Sequence, residues 1–475
     1  MKGTLKLVTI LLTVSLAAGC IPEKRIVWSP DGKRAAIATD NGLYFVDGDG
    51  KVLKPRLPEG PATCDWFPDS HKVAVMHVRK AKHWDDLSPL FDGEKTAQIR
   101  EEAENLKKRL LAYEGNWDDF KADPEDRLAS DIEMASILYV RDRMPSGLEE
   151  KLGEKWTEAQ AIETDIRRVQ VFEVTDDELR PGRVLLTTTR GVAGLRVSPD
   201  GRHLAFLMPS AEGRDDTPAL HVLSLVDAPS MPSTSGGPSG PARMISANTA
   251  FYYDWSPDGR SLAFIRGMGP EACGDNVQLG VLSTVCVADD KGKLLEEWRD
   301  SKDHTGLLFN CFLTVEWLSD GRLFFTSAEL TLPATSRDMP QRWSVFAIDP
   351  RTPAGVIRVL GRDFGGDLEP DLAYFELSPD EKRLALPCAD GRVCIYEMAS
   401  GKTTALVGSE LPGDKTRTLP CWRNNDEVCL TAPWVEVEGE EPKVRVVLWK
   451  DGKLRSLSDT WPSEIEEGWL VDPKQ

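Results

Sequence analysis

The sequence predicts an all-β fold, a seven-bladed β-propeller with a helical insertion in blade two. Three observations support this prediction. A tight-turn phrase recurs seven times, short alternating apolar segments follow its copies, and one gap between copies is long and rich in helix-forming residues. The 475 residues are 41% hydrophobic and 28% charged, which is typical of a folded globular chain and excludes extended disorder.

The recurring phrase is Ser-Pro-Asp-Gly or a close variant, and it predicts the hairpin that begins each blade. Proline sets φ for the turn, aspartate accepts hydrogen bonds from nearby backbone N–H groups, and glycine takes the positive φ that closes the hairpin. Asn425 is the degenerate seventh anchor. The blade-turn aspartates to which we assign this structural role are Asp31, Asp69, Asp200, Asp258, Asp320 and Asp380.

The spacing of the anchors indicates the size of the repeating unit. Successive anchors are separated by 38, 131, 58, 62, 60 and 45 residues, and two further strand-like segments usually follow each hairpin. A repeat of about 40 to 45 residues with four strands is typical of a propeller blade, and seven units suit a closed ring. Unrelated hairpins in a β-sandwich are the alternative. The ring is predicted to span residues 20–461, with a C-terminal tail at residues 462–475.

These turns also carry a family resemblance. The phrases at 198–201 and 256–259, and the Leu-Ala-Phe segments at 204–206 and 262–264, resemble the TolB-like, WD-repeat-like propeller repeats of bacterial envelope proteins. The resemblance covers most of residues 25–458. It implies a ring that binds other proteins or peptides, and some members of the family are fused to a hydrolase domain.

The long gap predicts the insertion and, with it, a binding face. Residues 82–168 carry apolar residues at helical spacing, so two or three helices are expected between strands b and c of blade two. In a four-stranded antiparallel blade the b–c and d–a connections leave at one rim, which we call the b–c rim, and the a–b and c–d connections leave at the other, the a–b rim. The b–c connections of blades four, five and seven are also long, and the main exception is the Pro/Ser/Gly-rich stretch 228–242 in the c–d connection of blade three, which leaves at the a–b rim. Because functional loops commonly lie on a rigid scaffold, the b–c rim is the candidate binding face.

Aromatic residues in or beside these connections are candidate partner contacts. Trp84 and Trp117 lie in the insertion, and Trp434 lies beside the long connection of blade seven. Tryptophan is a common anchor at protein interfaces. Packing inside the helical insertion explains Trp84 and Trp117 equally well.

The N-terminus predicts export and lipid attachment. Residues 1–19 contain Lys2, Lys6 and a 13-residue apolar run, which is too short to span a bilayer and is typical of a signal peptide. The run ends in Leu-Ala-Ala-Gly before Cys20, which resembles the lipobox of bacterial lipoproteins and implies lipidation of Cys20. The alternative is an ordinary cleaved leader. Ile21 is not the aspartate that implies inner-membrane retention in that family, so the outer membrane is favoured, with a periplasmic or surface-exposed ring.

The charge limits the possible partners. The formal net charge is -19, and removal of the two leader lysines makes it -21, which disfavours binding to nucleic acid or to anionic lipid headgroups. We therefore expect a protein or peptide partner and membrane contact through the N-terminal lipid alone.

Eight cysteines remain when Cys20 is set aside, and an even number in an oxidising compartment favours disulfides. Cys388 and Cys394, and likewise Cys421 and Cys429, are expected to lie opposite each other across short hairpins, so both pairs are disulfide candidates. Reduced buried thiols are the alternative. No Cys-x-x-Cys spacing indicates a metal site.

The sequence contains no recognisable catalytic motif, and we assign no catalytic residue, metal or cofactor. His71 and His77 cannot share one metal on a regular strand, where six residues span about 20 Å. The sequence therefore predicts a non-catalytic binding or scaffold protein. Two alternatives stay open: a lyase or hydrolase whose active site lies in the central channel, and a sugar or small-molecule sensor with stacked tryptophans.

Overall fold

The structure is a computed structural model that describes most of the chain. The described residues are 25–39, 42–57, 63–91, 93–112, 131–153, 160, 163–209, 218–226, 242–268, 282–298, 305–307, 313–327, 329–331, 344–350, 357–358, 374–388, 392–406, 419–434, 443–459, 461 and 465. No helix within these ranges is long and apolar enough to cross a bilayer.

Seven four-stranded antiparallel sheets follow one another along the chain, and in each the strands pair in chain order as a, b, c and d. Blade one contains β1 (Ile26–Trp28), β2 (Arg34–Thr39), β3 (Gly42–Asp47) and β4 (Val52–Leu57). Blade two contains β5 (Thr63–Trp66), β6 (Lys72–Ala81), β7 (Thr164–Val174) and β8 (Leu179–Thr188). Blade three contains β9 (Ala193–Val197), β10 (His203–Pro209), β11 (Pro218–Ser224) and β12 (Arg243–Ser246). Blade four contains β13 (Asp254–Trp255), β14 (Ser261–Met268), β15 (Leu282–Asp289) and β16 (Leu294–Trp298).

The remaining blades have the same order, and a short extra strand pair accompanies blade five. The extra pair is β17 (Thr305–Leu307) with β20 (Glu329–Thr331). Blade five contains β18 (Val315–Trp317), β19 (Leu323–Ser327), β21 (Ser344–Ile348) and β22 (Ile357–Arg358). Blade six contains β23 (Glu376–Leu377), β24 (Arg383–Pro387), β25 (Val393–Glu397) and β26 (Lys402–Ala405). Blade seven contains β27 (Cys421–Trp422), β28 (Val428–Trp434), β29 (Lys443–Lys450) and β30 (Lys453–Ser456).

The sheets form a closed ring because each buries both of its faces against neighbours. In β2, Ala36 and Ala38 pack against blade two, whereas Ala35 and Ile37 pack against blade seven, as the two-residue period of a strand requires. Equivalent apolar clusters fill the space between all neighbouring sheets. The a strands of neighbouring blades contact one another, including β1 and β27, so the a strands lie nearest the ring axis. The predicted seven-bladed β-propeller is confirmed.

The a–b turns are uniform, since each of the seven connections is five residues long. In blade four, Ser256 Oγ donates to Asp258 Oδ1 at 2.6 Å, the same oxygen accepts the Arg260 N–H at 3.1 Å, and Gly259 has a φ of 71°. The matching serine and backbone hydrogen bonds are made to Asp31, Asp200 and Asp380. No serine donates to Asp69 or Asp320 among the described residues: backbone N–H groups donate to both, and Arg322 Nε also donates to Asp320 Oδ2 at 2.7 Å.

These hydrogen bonds also set the ionisation of the turn carboxylates. The Ser256 hydroxyl is the main reason that the pKa of Asp258 lies below its usual value. Partial burial alone would raise the pKa of Asp200, but the hydrogen bonds from Ser198 and the Arg202 N–H lower it overall. The same balance lowers the pKa values of Asp31, Asp69 and Asp380.

Three positions differ from the sequence-based prediction. Asn424, and not Asn425, anchors the seventh turn, because its Oδ1 accepts the N–H groups of Asp426 at 2.9 Å and Glu427 at 3.0 Å. Strand c of blade two begins at Thr164, so the insertion ends before residue 168. The predicted tail is not wholly separate from the ring, since Ile465 is fully buried in the core between blades seven and one.

The connection between β6 and β7 is helical, and we call its residues 82–163 the arm. Its described residues include α1 (Trp84–Leu87), α2 (Gly93–Ala112), α3 (Asp131–Arg143) and α4 (Leu148–Leu152). The buried Ile99 of α2 packs with Ala135 and Leu138 of α3.

Candidate functional site

The two rims of the ring differ in what they carry. The a–b rim presents the seven five-residue turns, whereas the arm leaves from the b–c rim. The short sheet of β17 and β20 also lies at the b–c rim, because β20 directly continues strand b of blade five and β17 belongs to the preceding d–a connection. Blades two and five are three positions apart in a ring of seven, so the two elaborations stand on nearly opposite sides of the channel mouth.

The arm is held by an extended hairpin. β6 and β7 pair continuously from Lys72 opposite Glu173 to Ala81 opposite Thr164. At the far end of the hairpin, Ala81 and Ile166 are buried against the apolar side chains of the arm. Because the helices pack on the strands that carry them, the root of the arm has a fixed position on blade two.

A buried arginine reinforces this root. Arg141 of α3 donates to the backbone oxygen of Lys82 and, through Nε, to Asp142 Oδ1 at 2.7 Å. Asp142 Oδ2 accepts the N–H of Trp84 at 2.7 Å. Burial alone would raise the pKa of Asp142, but the hydrogen bonds from Arg141 and Trp84 hold it below its usual value. The charged pair therefore joins α1, α3 and the end of β6.

The three tryptophans proposed as partner contacts have different positions. Trp84 is only 6% exposed, its ring stacks on Phe91 with centroids 6.1 Å apart, and it meets the edge of Tyr139 at 5.1 Å. Its indole therefore forms part of the arm's core and does not act as an exposed anchor. Trp434 is the last residue of β28, opposite Lys443, at the start of the blade-seven connection. Trp117 lies outside the described residues.

Charged side chains from five blades meet at the ring axis. They occupy the penultimate residue of each a strand, which we call the channel position, and all five are partly exposed. From blade one to blade seven, this position is Val27, Asp65, Arg196, Asp254, Glu316, Glu376 and Cys421.

Each channel carboxylate is hydrogen-bonded to the next blade. The acceptor oxygen takes a backbone N–H from the last residue of the neighbouring a strand, so these side chains set the spacing between blades. The pairs are Asp65 Oδ2 with Val197 N (2.7 Å), Asp254 Oδ2 with Trp317 N (2.8 Å), Glu316 Oε2 with Leu377 N (2.9 Å) and Glu376 Oε1 with Trp422 N (3.4 Å).

Indole groups make a second kind of link between a strands. In each case, Nε1 at the end of an a strand donates to the backbone oxygen at the channel position of the preceding blade. The pairs are Trp66 with Val27 O (2.9 Å), Trp255 with Arg196 O (3.1 Å) and Trp422 with Glu376 O (3.0 Å).

Arg196 and two tyrosines complete this cluster. Burial alone would lower the pKa of Arg196, but the charges of Asp254 and Asp65 raise it, so its guanidinium is always charged. Burial raises the pKa values of Tyr253 and Tyr374 well above 10. Tyr253 donates to Gly194 O, and Tyr374 donates to Glu376 Oε2 at 2.7 Å. Both phenols therefore act as protonated donors at neutral pH and cannot serve as bases.

The hydrogen bonds of this ring of charges position neighbouring blades. Within the described part of the chain, no group of three or more His, Cys, Asp or Glu side chains is placed to hold a metal ion. Sequence reasoning missed the ring because each blade contributes a single residue and only ring closure brings these residues together. In the sequence, the channel position can be identified as the residue that directly precedes the large side chain at the start of each a–b turn.

The two cysteine pairs differ. A disulfide joins Cys388 and Cys394, whose Cα atoms are 6.4 Å apart. Cys421 and Cys429 are directly opposite, as predicted, but both are buried thiols and no disulfide joins them. The Arg423 N–H donates to Glu427 O at 2.9 Å, which makes the cysteines, two residues further along the ladder, a hydrogen-bonded pair. Their Cβ atoms are then about 5.5 Å apart, wider than the 3.5–4.5 Å that a disulfide needs.

Comparison with known proteins yields no family. No family model matches the chain, and no curated protein matches it. Among solved structures, an acylaminoacyl peptidase of Pyrococcus horikoshii is 16% identical with a TM-score of 0.36, over 62% of this chain and 41% of the peptidase. An oligogalacturonate lyase in complex with manganese is 10% identical with a TM-score of 0.47, over 88% of this chain and 86% of the lyase.

A prolyl endopeptidase is 11% identical with a TM-score of 0.44, over 96% of this chain and 55% of the endopeptidase. The chain thus spans less than two thirds of the length of either peptidase. Similarity at this level gives no basis for transferring an activity, a substrate or a metal to this chain.

Cys20, the residue predicted to be lipidated, lies outside the described residues.

Proposed function

We propose that this chain is a bacterial envelope lipoprotein that binds a protein or peptide partner through the b–c rim of a non-catalytic propeller. The observation that carries the proposal is the difference between the rims. Seven equal a–b turns lie at one rim, where the long c–d connection of blade three, between Ser224 and Arg243, is the main exception, while the arm and the β17–β20 sheet lie at the other. A rigid ring with its elaborated connections on one side is the usual arrangement of a recognition surface.

The central channel supports a structural role more than a catalytic one. Its carboxylates accept hydrogen bonds from neighbouring backbones, and Glu376 also accepts the Tyr374 hydroxyl. Their arrangement therefore explains how the blades are spaced without requiring a substrate. The resemblance of the turns to TolB-like repeats favours the same binding role.

The location rests on the sequence. The lipobox-like segment before Cys20 supports lipid attachment, and Ile21 favours the outer membrane. Metabolic labelling with a palmitate analogue tests this part of the proposal. We expect the label to enter the wild-type chain and to be absent from Cys20→Ser, and labelling of both chains equally would contradict it.

Removal of the arm tests the binding role. A variant in which an Asn-Gly turn joins Ala81 to Thr164 keeps the β6–β7 hairpin and deletes the helices. After crosslinking in envelope extracts, we expect the intact protein to retain a specific partner that the shortened variant loses. Circular dichroism and thermal melting serve as the control that the shortened variant is folded. An unchanged set of partners, recovered with a folded variant, would contradict the proposed role of the arm.

A further inference from the structure

We call the interface between two neighbouring blades a seam, and the seam between blades seven and one differs from the other six. Indole links join blades one to two and three to four, carboxylate links join two to three, four to five and five to six, and both kinds join six to seven. At the seventh seam the described residues make neither link. Cys421 provides no carboxylate, and Trp28 Nε1 has no acceptor among the described residues although its side chain is buried.

Among the described residues, no strand is shared across this seam. Blade one consists of the first four strands of the chain and blade seven of the last four. Within the described part of the chain, neither terminus adds a strand to the sheet of the other, and the contacts across the seam are made by side chains and turns.

Residues that follow the last strand lie across the seam. We call the described residues 457–459, 461 and 465 the clasp. Leu457 N–H donates to Val446 O of blade seven at 2.8 Å, and Trp461 Nε1 donates to Gly50 O of blade one at 2.9 Å. Leu457, Trp461 and Ile465 are buried in the same apolar cluster as β1 and β2. The clasp thus makes the cross-blade indole bond that Trp28 does not make.

Glycines of blade one allow this close approach. A Cβ on Gly50, whose φ is 86°, would lie 2.2 Å from Leu457 O. A Cβ on Gly48 would lie 2.0 Å from an Arg423 nitrogen. The Arg455 guanidinium donates to Gly48 O at 3.2 Å. The acidic turn Asp-Gly-Asp-Gly at 47–50 is therefore the surface against which the clasp and blade seven pack.

Arg423 adds a contact at the same rim, to the a–b turn of blade one. Its Nε donates to Gly32 O at 3.0 Å, and its guanidinium lies over the Trp28 ring at 5.1 Å. A single side chain of blade seven therefore holds the a–b turn of blade one. It does not link the a strands at the axis.

We propose that the clasp is a conformational latch: it holds the ring closed, and its release lets the ring open between blades seven and one. Among the described residues, six seams have axial hydrogen bonds, whereas the polar contacts of the seventh are those of the clasp, Arg423 and Arg455. We therefore expect local opening to have its lowest cost there. This inference concerns the ring itself and does not depend on the identity of the partner.

Two glycine variants separate loss of the clasp from simple turn strain. Gly50 and Gly452 both lie in c–d turns with similar positive φ values of 86° and 80°, but only Gly50 faces the clasp, since a Cβ on Gly452 meets nothing within 4 Å. Alanine therefore causes similar backbone strain at both positions. We expect Gly50→Ala to speed amide hydrogen exchange about ten-fold in β1, β2, β27 and β28, with blades three and four unchanged. Gly452→Ala should affect its own turn alone.

A pair of tryptophan variants tests the same latch without backbone strain. Trp461→Phe keeps an aromatic side chain but removes the bond to Gly50, and Trp66→Phe removes the equivalent bond between blades one and two. We expect faster exchange in both β1 and β27 for Trp461→Phe, and at blades one and two only for Trp66→Phe. Uniformly faster exchange in all blades, or no change at the seam, would overturn the proposal.

Discussion

Replacement of Arg196 by methionine tests the structural role of the channel charges. The substitution removes the cation that faces Asp254, Asp65 and Glu316 and leaves their carboxylates close together. Removing one partner of a buried ion pair typically costs 3–5 kcal/mol. Arg196 is only partly buried, so we expect the lower end, a loss of about 3 kcal/mol in the free energy of unfolding.

Urea unfolding at pH 7, followed by circular dichroism, measures this loss. Arg202→Met is the matched control, because Arg202 is an exposed turn residue, and it should change stability by less than about 0.5 kcal/mol. Arg196→Lys keeps the charge and should recover part of the loss. If Arg196→Met unfolds at the same urea concentration as Arg202→Met, the channel charges do not support the ring as described.

Three further predictions concern ionisation and thiols. The turn hydrogen bonds lower the pKa of Asp258, so the stability that its carboxylate contributes is present above the unfolded pKa of 3.8 and is lost as the pH falls. Asp258→Asn should therefore make the melting temperature less steeply dependent on pH between about 5 and 3. Burial lowers the pKa of His221 below 6.5, so the folded state loses stability as the pH falls below that value. His221→Phe should reduce the pH dependence of the melting temperature between about pH 7 and 5, and an unchanged dependence would contradict this. Mass spectrometry after alkylation in denaturant without reductant should find Cys421 and Cys429 modified and a bridge between Cys388 and Cys394, and a bridge between Cys421 and Cys429 would be contrary to the structure.

The repeat was predictable because its signal is local. A serine, an aspartate and a glycine within five residues, as at 256–260, determine a turn through short hydrogen bonds that need no tertiary contact. Counting these turns was enough to predict the number of blades and the rim from which the arm leaves.

The axial cluster and the thiol pair were not predictable in the same way. Arg196 and Asp254 belong to different blades, and only closure of the ring places their charges together. Cys421 and Cys429 were correctly placed opposite each other, but the hydrogen-bonding phase of the ladder decides whether such a pair can bridge. For Trp84 the sequence left a partner contact and packing inside the insertion equally open, and the packing of Phe91 and Tyr139 around it decides for burial.

Site-specific photo-crosslinking in living cells tests the proposed binding face most directly. A photoreactive amino acid is placed at Lys108, which is exposed on α2 of the arm, or at Arg260, which is exposed on the a–b rim. Recognition through the b–c rim predicts a discrete crosslinked envelope protein from position 108 and none from position 260. Crosslinking from position 260 alone, or equally from both, would contradict it.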